Sequence, residues 1–232
     1  MAWFHEWTAD FADTFTRCFI KDDRYKLLLE GIGVTIKVSL LAVLIGIIIG
    51  LLIALCNLSK KKLLRFIGGI YTDVIRGTPS VTQLMIIYFV IFASIGLDKW
   101  IIAAIAFGIN SGAYVSEIIR AGILSIDKGQ TEAGRSLGLS AYQTMTRIVI
   151  PQAVKNIFPA LCNEFIVLIK ETAIVGYVGL MDIQKAGDFI KSATFEAFMP
   201  LIGTAVIYYV LIKILTILLN RIEKRLRASE VR

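Results

Sequence analysis

Two stretches of this sequence combine long apolar runs with polar side chains at helical spacing. Asn110, Tyr114 and Glu117 recur every three or four residues, which places them on one stripe of a helix. A later apolar run carries two neighbouring stripes of the same kind, formed by Asn163, Glu164, Lys170 and Glu171. An ionisable group in the middle of a membrane costs about 2.5 to 3.5 kcal/mol, so such groups usually face other helices or a water-filled cavity. The stripes therefore predict either a polar pathway or an internal ion pair, between Lys170 and a nearby glutamate, that only holds the helices together.

The chain lacks the residue combinations of most enzyme active sites. Its single histidine, His5, has no partner for a histidine-based triad or a multi-histidine zinc site. Cys18, Cys56 and Cys162 lie far apart without CxxC spacing, which argues against a disulfide framework or an iron–sulfur site. No GxxxxGK(S/T) segment is present, so the chain has no phosphate-binding loop of its own. The sequence predicts no catalytic residues and no metal site, and any ATP has to be bound by another subunit.

The composition places these residues in a lipid bilayer. Hydrophobic residues make up 56% of the 232 residues and charged residues only 19%, which is too apolar for a water-exposed domain of that size. A spanning helix needs about 20 largely apolar residues. The candidate spans are 38–59, 77–97, 100–116, 148–181 and 197–220. The fourth contains several ionisable residues, so it is predicted to insert only if these face protein or water.

Small residues repeat every four positions in two of these segments. The first repeat is Ala42, Gly46, Gly50 and Ala54, and the second is Ala104, Gly108 and Gly112. Such spacing predicts close contact between helices. The contact can lie within one subunit or between two.

Lysine and arginine are distributed unequally between the loops. With five spans, the segments after spans one, three and five carry the larger share of them. Because basic loops tend to stay in the cytoplasm, this predicts an extracytoplasmic N-terminus and a cytoplasmic C-terminus. The net charge of +7 forms no basic stripe interleaved with aromatic residues, so nucleic acid is not a predicted partner.

An aromatic stripe marks the N-terminal residues. Trp3, Trp7, Phe11, Phe15 and Phe19 recur every four residues among charged residues. This pattern predicts an amphipathic helix that lies on the outer surface of the bilayer. A frayed or solvent-exposed tail is the alternative.

The segment between the third and fourth spans contains signals for two short helices. Asp127 and Gln130 form a DxxQ pattern that can cap a helix, and Gly138 suits the left-handed position after its end. Ser140 and Gln143 can cap the next helix. The segment is therefore predicted to form a short helix between two turns, outside the membrane.

The same segment resembles the EAA loop of ABC importer permeases. The matching residues, at the spacing of that loop, are Glu132, Ala133, Gly134, Gly138, Ile148, Ile150 and Pro151. Gly134 stands where alanine is usual and Ile150 where leucine is usual. The resemblance implies a coupling helix that docks into a groove on a separate ATPase subunit, whereas an ordinary amphipathic connector is the alternative. The implied coupling residues are Glu132, Ala133, Gly134 and Gly138.

A second stretch of the sequence resembles one particular branch of these permeases. The run Arg76, Gly77, Thr78, Pro79 and, four residues on, Gln83 resembles the RGTPxxxQ segment of permeases for polar amino acids. Further similarity lies at Asn110, Gly112, Ala113, Tyr114, Glu117, Ile118, Arg120, Asn163, Glu164, Lys170, Glu171 and Thr172. The resemblance covers about 25–226 and identifies the chain as a member of the polar-amino-acid ABC transporter permease family.

This resemblance implies an all-α membrane protein of about five transmembrane helices with the type I ABC importer permease (MetI-like) fold. An extracytoplasmic amphipathic helix takes up 1–26, the permease domain 27–226 with its coupling loop at about 120–150, and a cytoplasmic tail 227–232. The implied partners are two ABC ATPase subunits, a second permease copy or paralogue, an extracytoplasmic amino-acid-binding protein and the lipid bilayer. ATP and Mg²⁺ belong to the ATPase, and this chain is implied to need no cofactor and to be non-catalytic.

A free amino acid needs an acceptor for its ammonium group and a donor for its carboxylate. Glu117 or Glu171 can supply the acceptor and Lys170 the donor. The Thr78–Pro79 step interrupts backbone hydrogen bonds, which at membrane depth either marks a binding site or only starts a helix after a re-entrant turn. The predicted substrate pathway comprises Thr78, Gln83, Asn110, Glu117, Lys170, Glu171 and Thr172.

These patterns predict the transmembrane subunit of an ATP-binding-cassette importer for polar or charged amino acids, located in the bacterial cytoplasmic membrane. A secondary transporter or channel for small polar solutes is the alternative, but it leaves the EAA spacing unexplained. A membrane-embedded enzyme would need a convergent nucleophile and base, which the lone histidine and scattered cysteines do not provide.

Overall fold

A computed structural model describes the backbone of residues 10–227 and the side chains of residues 10–225. Residues 10–23, here called the N-terminal segment, form a helix, a π-helical turn (Thr16–Ile20) and a 3-10 turn (Lys21–Asp23). The helices that follow are α1 (Tyr25–Leu58), α2 (Lys62–Arg76), α3 (Ser80–Ile86), α4 (Lys99–Leu124), α5 (Lys128–Ser136), α6 (Ala141–Thr144), α7 (Ile150–Glu171), α8 (Ile183–Thr194) and α9 (Phe198–Arg227). Two π-helical turns, Ile87–Ile91 and Met145–Val149, follow α3 and α6, and a 3-10 segment, Thr172–Val178, follows α7.

Within the described part of the chain, three helices are long and apolar enough to cross a membrane, namely α1, α4 and α9 as far as Arg225. They correspond to the predicted spans one, three and five. Helix α2 and the helical run 80–91 are apolar enough together, and their bend of 104° suits either one broken span or a re-entrant loop. Helix α7 does not qualify by composition because Lys155, Glu164, Lys170 and Glu171 interrupt its apolar run.

The observed helix ends differ from the predicted spans in two places. Helix α1 begins at Tyr25 rather than at 38, because lysine and glutamate are good helix residues and an uncharged run does not mark where a helix starts. The predicted span 77–97 is wrong at both ends, because residues 77–79 form the bend and the helix ends at Ile91. Pro79 is the N-cap of α3, so Thr78–Pro79 starts a helix after a turn.

Helix α4 is the centre of the fold and runs in the same direction as α1. A Cβ on Gly46 would lie 3.0 Å from the Ser111 hydroxyl oxygen, and one on Gly50, a turn further along α1, would meet Val115, a turn further along α4. The glycines of α4 face the same seam, where Gly108 lies against Ile45. The small-residue repeats therefore pack two helices of one chain.

Helix α7 packs along α4 in the opposite direction. Ile157, near the start of α7, lies against Gly122 near the end of α4, whereas Glu164 bonds Ser111 in the middle of α4. With 22 residues, α7 is about 33 Å long at 1.5 Å per residue. Helix α7 therefore packs against α4 over most of the length of α4.

The end of the bundle farthest from α5 is closed by α8, the first turns of α9 and the N-terminal segment. Asp182 is fully buried and caps α8, since its carboxylate accepts bonds from the N–H groups of Gln184 and Lys185. The Tyr208 hydroxyl of α9 donates to the same carboxylate at 3.0 Å. An apolar cluster of Cys18, Phe19, Leu28, Ala186, Ile190 and Met199 joins these elements.

The aromatic stripe of the N-terminal residues lies only partly within the described chain. Trp3 and Trp7 fall outside it. Phe11, Phe15 and Phe19 line an apolar groove of about 410 Å³ against α9. Residues 10–15 are helical, and the position of this helix on the bilayer surface stays a prediction.

Candidate functional site

The bend between α2 and α3 is held by one buried glutamine. The Gln83 amide nitrogen donates to the carbonyls of Ile75 at 2.7 Å and Thr78 at 3.2 Å, and to the Thr78 hydroxyl at 2.6 Å. Its amide oxygen accepts a bond from Asn110 Nδ2 at 2.9 Å. Gln83 thus donates to two backbone carbonyl groups that would accept backbone N–H groups in an uninterrupted helix. Three predicted pathway residues, Thr78, Gln83 and Asn110, are therefore in contact at this bend.

We expect Gln83→Leu to destabilise the folded chain. Leucine has a similar size but leaves two carbonyls and the Asn110 amide without their partner, at about 1 to 3 kcal/mol for each buried unsatisfied group. Thermal unfolding of the purified protein measures the loss, with Gln130→Leu on exposed α5 as the matched control. Because Asn110→Leu removes the same bond from the other side, the double variant should lose less than the two single losses combined. Fully additive losses would contradict the pairing.

A charged face continues along α4 beyond Asn110. Glu117 Oε2 and Arg120 Nη2 lie 2.8 Å apart, and the two side chains are 28% and 37% exposed. The Arg76 guanidinium lies 5.4 Å from the centre of the Tyr114 ring, which suits a cation–π contact. Arg76, Tyr114 and Arg120 were not among the predicted pathway residues, although all three stand in the family motifs. Glu117, which was predicted, has a cation partner within its own helix.

Glu164 of α7, which packs against α4, also has a hydrogen-bond partner. Glu164 is 8% exposed, and its carboxylate accepts a hydrogen bond from the Ser111 hydroxyl at 2.7 Å. Sequence spacing paired Glu164 with Lys170 as one possible ion pair. The partner it has instead, Ser111, stands in a different helix, and no spacing rule connects the two positions.

The remaining predicted pathway residues lie where α7 ends. Lys170 is exposed, and its ammonium group makes no hydrogen bond or ion pair with any side chain or carbonyl between residues 10 and 225. Glu171 is half-buried. Thr172 is 1% exposed and donates its hydroxyl hydrogen to the Ile169 carbonyl at 2.7 Å, so it faces the interior. Of these three, Lys170 and Glu171 have charged groups that make no hydrogen bond or ion pair within residues 10–225, so both are available to a solute.

The predicted capping pattern of the α5 loop is confirmed in most respects. The Asp127 side chain accepts a bond from the Gly129 N–H at 2.6 Å and begins α5, although Gln130 does not return the bond and lies toward Gln152. The Ser140–Gln143 capping box has both of its bonds, at 3.2 and 2.8 Å.

The end of α5 depends on a glycine in the left-handed region. Gly138 has a φ of +83°, and its N–H donates to the Arg135 carbonyl at 3.1 Å. The next N–H, of Leu139, donates to the Gly134 carbonyl at 3.2 Å. These two bonds form a Schellman motif, which ends the helix sharply.

Glycine at position 134 allows α5 to pack closely on the chain that follows it. A Cβ there would lie 2.8 Å from Ile148 Cδ1 and 3.0 Å from Thr144 Cγ2. Gly134 and Ile148, both residues of the EAA pattern, are thus in contact. Glu132 and Ala133 are exposed and free to meet a partner.

Sequence analysis missed two large apolar side chains beside α5. Leu137 is 82% exposed and Tyr142 77% exposed. Exposed apolar groups of this size on a short, firmly capped helical hairpin are typical of a protein interaction site.

Known proteins resemble the chain in sequence and in fold. Residues 46–228 match the family described as "Binding-protein-dependent transport system inner membrane component". The chain is 45% identical over 204 residues to a putative glutamine transport system permease protein GlnP of Rickettsia bellii, with 87% of this chain and 94% of that protein covered. It is similar to a crystal structure of an amino acid ABC transporter with histidines, with a TM-score of 0.80, 44% identity and coverage of 87% and 94%. An inward-facing structure of the MetNI methionine ABC transporter shares the fold, with a TM-score of 0.76, 19% identity and coverage of 89% and 99%.

Proposed function

This chain belongs to the polar amino acid permeases within the family of binding-protein-dependent transport system inner membrane components, and from that premise we propose that it carries polar or charged amino acids across the bacterial cytoplasmic membrane. It is a multi-pass inner membrane protein and the non-catalytic membrane component of an ABC transporter, as predicted. The predicted all-helical, MetI-like fold is confirmed as well.

The observation that carries the proposal is a polar face left exposed along the central helices. Arg76, Thr78, Tyr114 and Glu117 lie together near the bend of the broken span, and each is exposed or half-exposed in the single chain. Charged groups at this depth need water or protein around them. A second permease, identical or paralogous, that covers this face would enclose a polar pathway between the two subunits.

Lys170 provides the pathway with a free cation. Its ammonium group makes no hydrogen bond or ion pair among the described residues, although its charge interacts with that of Glu171. The nearby acid Glu164 is bonded to Ser111. An amino-acid carboxylate would supply the missing acceptor through a charge-assisted hydrogen bond. Glu171, which follows Lys170 in the chain, is the acid available for the ammonium group. Glu117 is paired with Arg120 and lies farther along the bundle, beyond the level of Ser111.

The α5 hairpin is the proposed contact with the ATPase. Its fixed ends and exposed residues, Glu132, Ala133, Leu137 and Tyr142, suit a short rigid element that fits a groove on a partner. Two ATPase subunits would hold the ATP and Mg²⁺, and an extracytoplasmic amino-acid-binding protein would deliver the solute. Closure of the ATPases would then move α4 and α7, which flank the hairpin in the chain.

The proposed topology has five spans, with the N-terminus outside. Helix α1 is parallel to α4 and α7 is antiparallel to both, which agrees with alternating passes when the broken span and α7 are counted. In that orientation the amphipathic residues 1–26 lie outside, the permease domain is 27–226 with its loop at about 120–150 in the cytoplasm, and the tail 227–232 is cytoplasmic.

We expect single cysteines at Lys61, Lys128 and Arg227 to react with an impermeant maleimide only from the cytoplasm. Cysteines at Lys99 and Lys185 should react only from outside, because α4 and α8 begin at the opposite end of the bundle from α5. Labelling of intact cells and of inverted vesicles measures both sides. Reversed labelling in either group would contradict the topology.

Transport by a reconstituted importer tests the proposed function. Proteoliposomes that contain this permease, its ATPase and a binding protein should take up polar amino acids only when ATP is present inside. Uptake by this chain without an ATPase would favour a secondary transporter or channel. The absence of ATP-dependent uptake across a panel of acidic, basic and amide amino acids would refute the proposal.

A further inference from the structure

A cavity of about 420 Å³ opens between the 3-10 segment Thr172–Val178 and α8. Its lining residues are Ala173, Ile174, Gly176, Tyr177, Gln184, Lys185 and Asp188. It lies at the end of α7 that is farthest from the coupling hairpin, because α7 begins directly after that hairpin and the cavity follows its last residue. In the proposed topology this end is the extracytoplasmic mouth of the pathway.

The cavity contains a cationic donor without an internal hydrogen bond within residues 10–225 and an acid with one carboxylate oxygen left unbonded in that range. Lys185 and Asp188 lie one turn apart on α8, and the Lys185 ammonium group makes no hydrogen bond or ion pair with any side chain or carbonyl between residues 10 and 225. Asp188 binds the Lys191 ammonium group through Oδ1 at 2.8 Å, whereas its Oδ2 accepts no hydrogen bond within the same part of the chain.

Both walls of the cavity are held in place by neighbouring groups. A Cβ on Gly176 would lie 3.1 Å from Lys185 Cδ, so the lysine stem lies across the glycine. The backbone N–H of Lys185 donates to the buried Asp182 carboxylate at 2.9 Å, which fixes the first turn of α8. The stem of Lys185 and the first turn of α8 are therefore positioned before any ligand arrives.

We propose that this cavity is an entry site for a free amino acid, with Lys185 donating to the α-carboxylate and Asp188 accepting from the α-ammonium group. Residues three apart on a helix are neighbours, so their side chains can reach two groups attached to one carbon. The volume leaves room for the amino-acid side chain beside Tyr177 and Gln184.

The entry site adjoins the proposed pathway. Lys170 lies on α7 about one turn before Ala173 and Ile174, which line the cavity. A carboxylate released by Lys185 would meet the free Lys170 ammonium group next. The inference thus rests on the proposed function and adds an outer step to it.

Protection of a cysteine in the cavity tests the proposal. The whole importer, without its binding protein, is reconstituted with Tyr177→Cys in a background free of the native cysteines, and the rate of labelling by an impermeant maleimide is measured from outside. We expect L-glutamine or L-arginine to slow the labelling. Lys185→Met or Asp188→Asn should raise the half-protecting concentration about tenfold, the effect of one lost hydrogen bond to a charged group.

Lys99→Met is the matched control. Lys99 lies at the same end of the bundle, where its ammonium group approaches Gly179, but it does not line the cavity. This variant should leave the half-protecting concentration unchanged.

Two analogues test recognition of both charges, since glutaramic acid lacks the α-ammonium group of glutamine and 4-aminobutanamide lacks its α-carboxylate. Each should protect only at concentrations at least about tenfold higher than glutamine.

Several results would overturn the entry site. These are no protection by either amino acid, equal protection by 4-aminobutanamide, and identical behaviour of Lys185→Met and Lys99→Met. Each of these leaves ATP-dependent uptake by the wild-type importer intact, whereas failure of the proposed function would remove that uptake.

Discussion

Gly138→Val is expected to uncouple the permease from its ATPase while leaving it inserted in the membrane. Gly138 ends α5 with a φ of +83°, a conformation that a β-branched residue resists. The strain of a side chain there is about 1 to 3 kcal/mol, and its relief would break the two hydrogen bonds that close the hairpin. Because the hairpin is the proposed docking element, ATP-dependent uptake and co-purification of the ATPase should both fall about tenfold or more.

Two further variants test whether the effect of Gly138→Val comes from backbone strain or only from the size of the added side chain. Gly96→Val introduces the same side chain at a glycine with open space around it and without a positive φ, so it should leave uptake unchanged. Gly138→Asn should behave in an intermediate way, because asparagine tolerates the left-handed region better than valine does. Normal uptake and normal ATPase recovery with Gly138→Val would refute the assignment of the hairpin.

The α5 hairpin could be predicted almost completely because its signals are local. The bonds of Asp127, Ser140 and Gln143 join groups no more than three residues apart, so the sequence window contains both partners. The return bond expected from Gln130 is the exception, since its side chain lies toward Gln152 in another helix. Spacing predicts a local bond only when no distant partner competes for the side chain.

The helix ends were harder to predict than the helices. An uncharged run marks the part of a helix that lies in lipid, whereas the helix itself continues through Lys26, Glu30 and Lys37 to its start at Tyr25. The direction of α1 relative to α4 could not be predicted from the small-residue repeats, because repeats allow close contact in either direction. The contacts of Gly46 with Ser111 and of Gly50 with Val115, one turn further along both helices, fix it.

The pathway residues were predicted from polarity and helical spacing. In the structure, some of them hold the helices together, whereas others stay available to a solute. Gln83 on α3 and Asn110 on α4 bond each other, so these two polar residues hold the bend rather than stay free for a solute. Asp182 is fully buried and bonded to Tyr208, yet it stands in a short stretch between helices that gave no sequence signal. Buried polar contacts between distant segments depend on the packing of the helices, which no single stretch encodes.

Lys170→Met is expected to reduce uptake about ten- to hundredfold while the importer still assembles. Methionine keeps the length and the apolar stem but removes the cation that would bind the substrate carboxylate, and a hydrogen bond to a charged group contributes about 1.5 to 3 kcal/mol. Lys213→Met is the matched control, because Lys213 is also exposed but lies on α9, away from the polar face. It should leave uptake unchanged. The measurements are the uptake rate and the yield of intact complex.

The structural alternative predicts a different pattern for the same variant. If Lys170 only neutralises Glu171, its loss leaves an unpaired carboxylate in a partly buried position, which costs up to about 3 to 5 kcal/mol and lowers the yield of assembled complex. The double variant Lys170→Met with Glu171→Gln should then restore assembly and uptake together. If Lys170 binds the substrate, the double variant still lacks the cation, so uptake stays low even in a fully assembled complex. Full uptake by the double variant would therefore refute the substrate role of Lys170.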